Sequence, residues 1–137
     1  MNLSQLEFGA LLTYTPRGNT PKTLHSKDVM LALKRDQFVS TPPILMSEWV
    51  AKTVKQKIAE LPFASFFQPN TILVPVPKSS LMQPNTLWVP ERIATALAAA
   101  CLGKQVASCL IRAKAVPKAA LSSPSERDQL QRNTMHR

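Results

Sequence analysis

The sequence predicts an α/β domain, a parallel sheet with flanking helices. Three observations carry that expectation. Residues 71–111 run strand, loop, helix, strand, the order of a βαβ unit. Residues 45–61 repeat apolar side chains at helical spacing. The composition, 45% apolar against 18% charged, belongs to a chain that folds around a core. Its 137 residues suffice for one domain with a modest core.

Taken in order, residues 9–14 (GALLTY) read as a first strand that ends in the turn-rich Thr15-Pro16-Arg17-Gly18-Asn19. Ser26 is a candidate cap for a short helix through about Lys34, with Val29, Met30 and Leu33 on one side. Thr41-Pro42-Pro43 breaks the chain. A clearer helix follows from about Leu45 to Leu61. Trp49, Val50, Val54 and Ile58 form its apolar stripe, with Lys52, Lys55, Lys57 and Glu60 between them. Pro62 ends it, and Trp49 reads as a core residue rather than a ligand platform. Thr71–Val76 is the next strand. Pro90 suits the start of a helix that runs through Cys101, with Gly103 as its C-cap, and Gln105–Ile111 reads as a second buried strand. The crossover implies parallel pairing of the two strands.

Seventeen Lys and Arg against eight Asp and Glu give a net charge of +9. Such an excess favours phosphate-bearing partners: nucleic acid, nucleotides or phosphorylated sugars. It is steepest from Lys104 to Arg137, where seven basic residues meet two acidic ones. No apolar run approaches the roughly 18–20 residues that span a bilayer, so no membrane partner is expected. The N-terminus has no secretion-signal pattern, which points to the cytoplasm. Cys101 and Cys109, the only cysteines, sit in apolar contexts and lack CxxC spacing; two reduced, buried thiols are expected. His25 lies in a polar loop beside Lys22 and Lys27 and should face solvent. No HExxH pattern or paired histidine spacing suggests zinc. Ser122, Ser123 and Ser125 show no accompanying His/Asp arrangement of a serine hydrolase.

The stretch Ile72-Leu73-Val74-Pro75-Val76-Pro77-Lys78-Ser79-Ser80 carries the clearest chemistry. Proline cannot donate to a sheet ladder, so Pro75 and Pro77 should mark the strand's end. The polar loop that follows lies at the edge where parallel sheets bind ligands. Lysine supplies charge, serine hydroxyls supply hydrogen bonds, and bent backbone exposes N–H groups, which together are the parts of an anion site.

In order and spacing these features resemble the phosphoribosyltransferase-like proteins, near the ComF-type branch. The first strand leads through Tyr14 and Gly18 to a helix ending in Leu33-Lys34. The strand from Leu73 ends in Val-Pro-Val-Pro and its polar loop, the crossover helix follows, and the next strand closes in Leu110-Ile111-Arg112. Beyond it come Pro117-Lys118-Ala119-Ala120, Arg127 and His136. The resemblance covers about residues 9–137. It implies that Lys78, Ser79 and Ser80 form a pyrophosphate-binding loop. It further implies that residues 112–137 form a flexible basic loop or tail over the active site, with Arg112, Lys114, Lys118, Arg127, Arg132 and His136 as its functional side chains. Mg²⁺ and phosphoribosyl pyrophosphate, or a nucleotide, are the cofactor and ligand so implied. Such a lid would exclude water and stabilise charge on departing pyrophosphate.

The chain also departs from that pattern. It lacks the cysteine-rich zinc module of ComF-type proteins, and Asn85-Thr86-Leu87-Trp88-Val89-Pro90 stands at the entry to the crossover helix. The family's paired acidic residues and Gly/Thr-rich phosphate loop are missing. No two acidic residues are adjacent, and the only glycines are Gly9, Gly18 and Gly103. The expectation is therefore a partial parallel sheet, with residues 1–137 as the N-terminal portion of such a domain. A longer chain, a partner chain or second copy supplying the rest, or a degenerate domain kept for binding would each account for this. Two functions follow. One is a phosphoribosyltransferase-like protein, for which a role as effector in bacterial anti-phage defence is a fold analogy. The other is a non-catalytic nucleic-acid-binding or assembly module, resting on the charge. The low aromatic content, 6%, argues against single-strand stacking.

Overall fold

A computed structural model describes residues 9–115 and the strand residues 135–136. It has helices and small two-stranded sheets in a mixed α/β arrangement. Helix α1 spans Pro21–Arg35. Thr20 caps it by accepting from the Thr23 N–H at 3.2 Å, with proline in the first turn. Ser26 is thus inside the helix rather than at its cap. Its hydroxyl donates to the Thr15 carbonyl at 3.3 Å and accepts from the Thr15 N–H at 3.0 Å. Residues 9–14, expected as a strand, form none; Thr15 after them is tied to the Ser26 side chain, and Leu11 packs on the core.

Lys34 and Arg35 fill the last turn of α1, complementing its dipole. Asp36 then takes the left-handed conformation, φ 46°. A short antiparallel pair follows, β1 (Phe38–Val39) and β2 (Ile44–Leu45), joined by a turn with a cis Thr41–Pro42 peptide. Helix α2, Met46–Lys57, continues into a 3-10 turn at Ile58–Glu60 before Pro62. The expected apolar stripe is real. Met46, Val50 and Val54 are buried with Leu102 as the core, and Trp49, Ile58 and Leu61 pack around them. Lys52, Lys55 and Lys57 are exposed.

The expected βαβ unit is present. Strand β3 (Ile72–Leu73), helix α3 (Val89–Ala99) and strand β4 (Gln105–Val106) follow one another, and β3 pairs with β4 in parallel, Ile72 opposite Gln105 and Leu73 opposite Val106. Helix α3 packs chiefly on α2. Both strands are shorter than the sequence suggests, and the prolines explain why. The Leu73 carbonyl accepts from the Ala107 N–H at 2.9 Å, so Leu73 turns its peptide groups toward β4. Residues alternate in a strand, so Pro75 and Pro77 face the same way and lack the N–H that the next rungs need. The expected strand 105–111 accordingly breaks into β4 and β5 (Ile111–Arg112); β5 pairs antiparallel with β6 (Met135–His136).

Two details at the end of α3 also differ from expectation. Cys101, not Gly103, takes the left-handed turn, φ 63°. Gly103 serves close packing instead: a Cβ there would meet the Leu73 side chain at 2.9 Å. Both cysteines are exposed rather than buried, Cys101 in that turn and Cys109 where the ladder has opened.

One buried carboxylate ties the helices together. The Asp36 side chain is 0% exposed. Its Oδ1 accepts from the Ser47 N–H at 2.7 Å, and its Oδ2 accepts from the Ser47 hydroxyl at 3.0 Å and from Arg92 Nη1 at 3.0 Å. Asp36 thus ends α1, satisfies a free N–H at the start of α2, and holds Arg92 in the first turns of α3. Burial pushes its carboxyl up, but the Ser47 N–H, the Arg92 guanidinium and the Ser47 hydroxyl outweigh this and hold it below the ordinary value of 3.8. Because the folded pKa lies below the unfolded one, the stabilisation is present above about pH 4 and is lost as pH falls through the folded value. Asp36→Ala is expected to cost about 1–3 kcal/mol near neutral pH in urea unfolding, and the gap between variant and parent should shrink as the buffer is taken below about pH 4.

Candidate functional site

The candidate site is the tip of the βαβ unit, after β3 and before α3. Along 72–77 exposure alternates: Ile72, Val74 and Val76 face outward, while Pro75 and Pro77 are buried. The strand therefore stays extended past its ladder and delivers Lys78 half-buried, with Ser79 and Ser80 exposed. Lys78 Nζ donates to the Thr86 hydroxyl at 2.9 Å and to the Leu87 carbonyl at 3.1 Å. The Thr86 hydroxyl in turn donates to the Gln83 carbonyl at 2.8 Å. Residues 78–87 are thereby drawn into a loop closed by their own lysine. Buried Trp88 anchors its far end, donating from Nε1 to the Val76 carbonyl at 2.9 Å.

Arg112, 5% exposed, reaches the strand tip: its Nε donates to the Lys78 carbonyl at 2.8 Å. A guanidinium thus holds the carbonyl at the tip of the strand. Two groups of residues that the sequence places far apart, the Lys78 loop and the base of the basic segment, meet here. Lys114 is exposed just beyond. The β5–β6 pair brackets residues 113–134, with His136 in β6 opposite Ile111. Lys118, Arg127 and Arg132 lie outside the described residues.

Chemically, the loop can hold an anion. An ammonium has three N–H donors, and Lys78 commits two of them within the loop. One donor remains, and the next two residues, Ser79 and Ser80, are exposed. The sequence did not reveal Thr86, Trp88 or the Arg112–Lys78 bond. The signal for Trp88 was its place directly before Val89-Pro90, where a helix starts and an indole can reach back. Asp36 and Arg92 were missed because their partners are remote in sequence.

Elsewhere, an open groove of about 720 Å³ lies between α2 and α3, lined by Ala51, Ala96 and Ala99 with Lys52, Lys55 and Arg92. None of the expected site residues lines it. No group of three or more His, Cys, Asp or Glu side chains among the described residues is placed to hold a metal ion. No helix among them is long and apolar enough to cross a membrane. Compared with known families, curated proteins and solved structures, the chain has no match.

Thr86→Val keeps the shape but removes both hydroxyl bonds of the loop. It should lower stability by about 1 kcal/mol and speed amide exchange in residues 78–87 relative to α2, as read by hydrogen–deuterium exchange.

Proposed function

We propose that the chain binds a phosphorylated ribose or nucleotide through the Lys78–Ser80 loop, as a phosphoribosyltransferase-like domain. The observation that carries this reading is the bond from Arg112 Nε to the Lys78 carbonyl. It sets the loop that would receive pyrophosphate against the start of the basic β5–β6 connection. In this reading the remaining Lys78 donor, the Ser79 and Ser80 hydroxyls and nearby backbone N–H groups receive phosphate oxygens. Arg112 is a positioning residue that fixes the loop's backbone, and Lys114, Lys118, Arg127 and Arg132 add charge from the connection. Mg²⁺ would enter on the phosphates, which is its usual mode in nucleotide sites. The cytoplasm, where such phosphates are found, is part of the same proposal.

The reading is one of binding. Phosphoribosyl transfer also requires groups that hold the ribose hydroxyls and the 5-phosphate, and the sequence has neither the adjacent acidic pair nor the glycine-rich loop for that role. Turnover, and with it any defence role, would depend on a longer chain, a partner chain or a second copy supplying them. A second reading, nucleic-acid binding, is favoured by Lys52, Lys55 and Lys57, all exposed on α2 of a chain of net charge +9.

Calorimetric titration with phosphoribosyl pyrophosphate and Mg²⁺, set beside fluorescence titration with duplex DNA, separates the two. Lys78→Ala should weaken the first by about tenfold or more and leave the second unchanged. No measurable binding of the sugar phosphate, with DNA affinity that falls steeply with salt and drops in a Lys52/Lys55/Lys57 triple alanine variant, would favour nucleic acid.

A further inference from the structure

A cavity of about 300 Å³ lies against helix α1 and shares no lining residue with the Lys78 loop or with the α2–α3 groove. One wall is the segment 12–14, where Leu12 and Tyr14 are nearly half exposed. The other is the α1 stripe of Lys22, His25, Ser26, Val29 and Leu33, with Met30 at its side. At about 100° per residue, those five stripe residues fall within one sector of about 100° on the helix. Two bonds hold the walls together: the Ser26 hydroxyl accepts from the Thr15 N–H at 3.0 Å and donates to the Thr15 carbonyl at 3.3 Å. Val29 and Leu33 also pack on the core. The cavity is therefore built by the fold itself, and a ligand entering it is spared the cost of ordering a loose segment.

Size and charge say what fits. The volume is at the low end of the range for small-molecule sites, and most of the lining is aliphatic or aromatic. The body of the ligand is thus a single ring or a short alkyl chain. Its charge follows from the polar lining: Lys22 and His25 are present and no acid is. The first turn of α1 holds no acid to neutralise Lys22. Asp28, the acid of that helix, is exposed and stands about 120° around it from Lys22. Lys27 is engaged elsewhere, donating to the Gly18 carbonyl at 3.2 Å. The α2–α3 groove, by contrast, mixes Lys52, Lys55 and Arg92 with Glu48 and Glu91 and selects neither sign. Lysine is the one permanent cation lining the cavity, and it matches a single negative charge. A carboxylate carries one, whereas a phosphate monoester carries about 1.5–2 at pH 7. We propose that this cavity binds a small organic monocarboxylate, with its apolar body among Leu12, Tyr14, Val29 and Met30 and its carboxylate at Lys22 and His25. The inference does not depend on the ligand of the Lys78 loop.

Tyr14 provides the probe. It is the only tyrosine of the chain, so labelling with 3-fluorotyrosine gives one ¹⁹F signal, and that signal belongs to the cavity wall. Titration of the full chain with 4-phenylbutyrate or octanoate should move it along a saturating curve, with a Kd of about 1 mM or tighter. 4-Phenylbutan-1-ol, the same body without the charge, should bind about tenfold more weakly, the loss expected for one hydrogen bond to a charged group. Phenyl phosphate should also bind more weakly than the carboxylates. Lys22→Gln, at an exposed position, should bring 4-phenylbutyrate to the affinity of the alcohol and leave the alcohol unchanged. Met30→Trp, which fills the cavity from a half-buried position, should abolish both with an unchanged circular dichroism spectrum. The proposal is overturned by the absence of a saturating shift up to about 10 mM of either carboxylate. It is equally overturned by an alcohol or phosphate that binds as tightly as the carboxylates, or by either variant binding 4-phenylbutyrate as the parent does.

Discussion

The Asp36 carboxylate is the constraint on which the described structure depends. A side chain with no exposed surface would be costly as a lone charge. Here it accepts three hydrogen bonds, two from Ser47 and one from Arg92, and becomes the junction of three helices. The backbone of the same residue turns left-handed to stop α1. One residue therefore decides where α1 ends, how α2 begins and where the first turns of α3 lie. The last consequence reaches the candidate site, because Thr86, Leu87 and Trp88, which close and anchor the Lys78 loop, lead directly into α3. Arg92 is 51% exposed, so water shares its charge and the buried end of the pair carries most of the effect.

The second constraint is chemical rather than electrostatic. Pro75 and Pro77 have no N–H to give, and they face the strand that would need one. The parallel ladder stops after two residue pairs, and beyond it side chains hold the other edge of the strand. Trp88 Nε1 holds the Val76 carbonyl, and Arg112 Nε holds the Lys78 carbonyl. The strand tip is thus fixed by an indole and a guanidinium, and Ser79 and Ser80 beyond it are exposed.

Legibility in the sequence followed the range of the interactions. The α2 stripe of Val50, Val54 and Ile58 and the proline start of α3 are local signals, and the structure has both helices. The parallel pairing of β3 and β4 could be read because a crossover helix leaves little alternative. Residues 9–14 were misread as a strand, since apolar content cannot tell a strand from a segment tied down by one serine. The cysteines were misread as buried because their apolar neighbours face elsewhere: the left-handed turn at Cys101 and the broken ladder at Cys109 both arise from backbone geometry. Lys78 stood out by its place after a strand. Its bond to Arg112 did not, because it joins segments 34 residues apart and is made by an arginine side chain rather than by a backbone donor. Asp36, Ser47 and Arg92 gave no local pattern, since their pairing exists only once three helices have assembled.

The most direct test of a phosphate site at the β3 tip is a ¹⁵N-resolved amide spectrum of the full chain during titration with inorganic pyrophosphate at about physiological ionic strength, where non-specific surface attraction is largely screened. A site of the proposed kind would shift the amides of Lys78, Ser79, Ser80 and Arg112 together along one saturating curve. Shifts confined to α2 around Lys52, Lys55 and Lys57, or scattered over the surface without saturation, would contradict it.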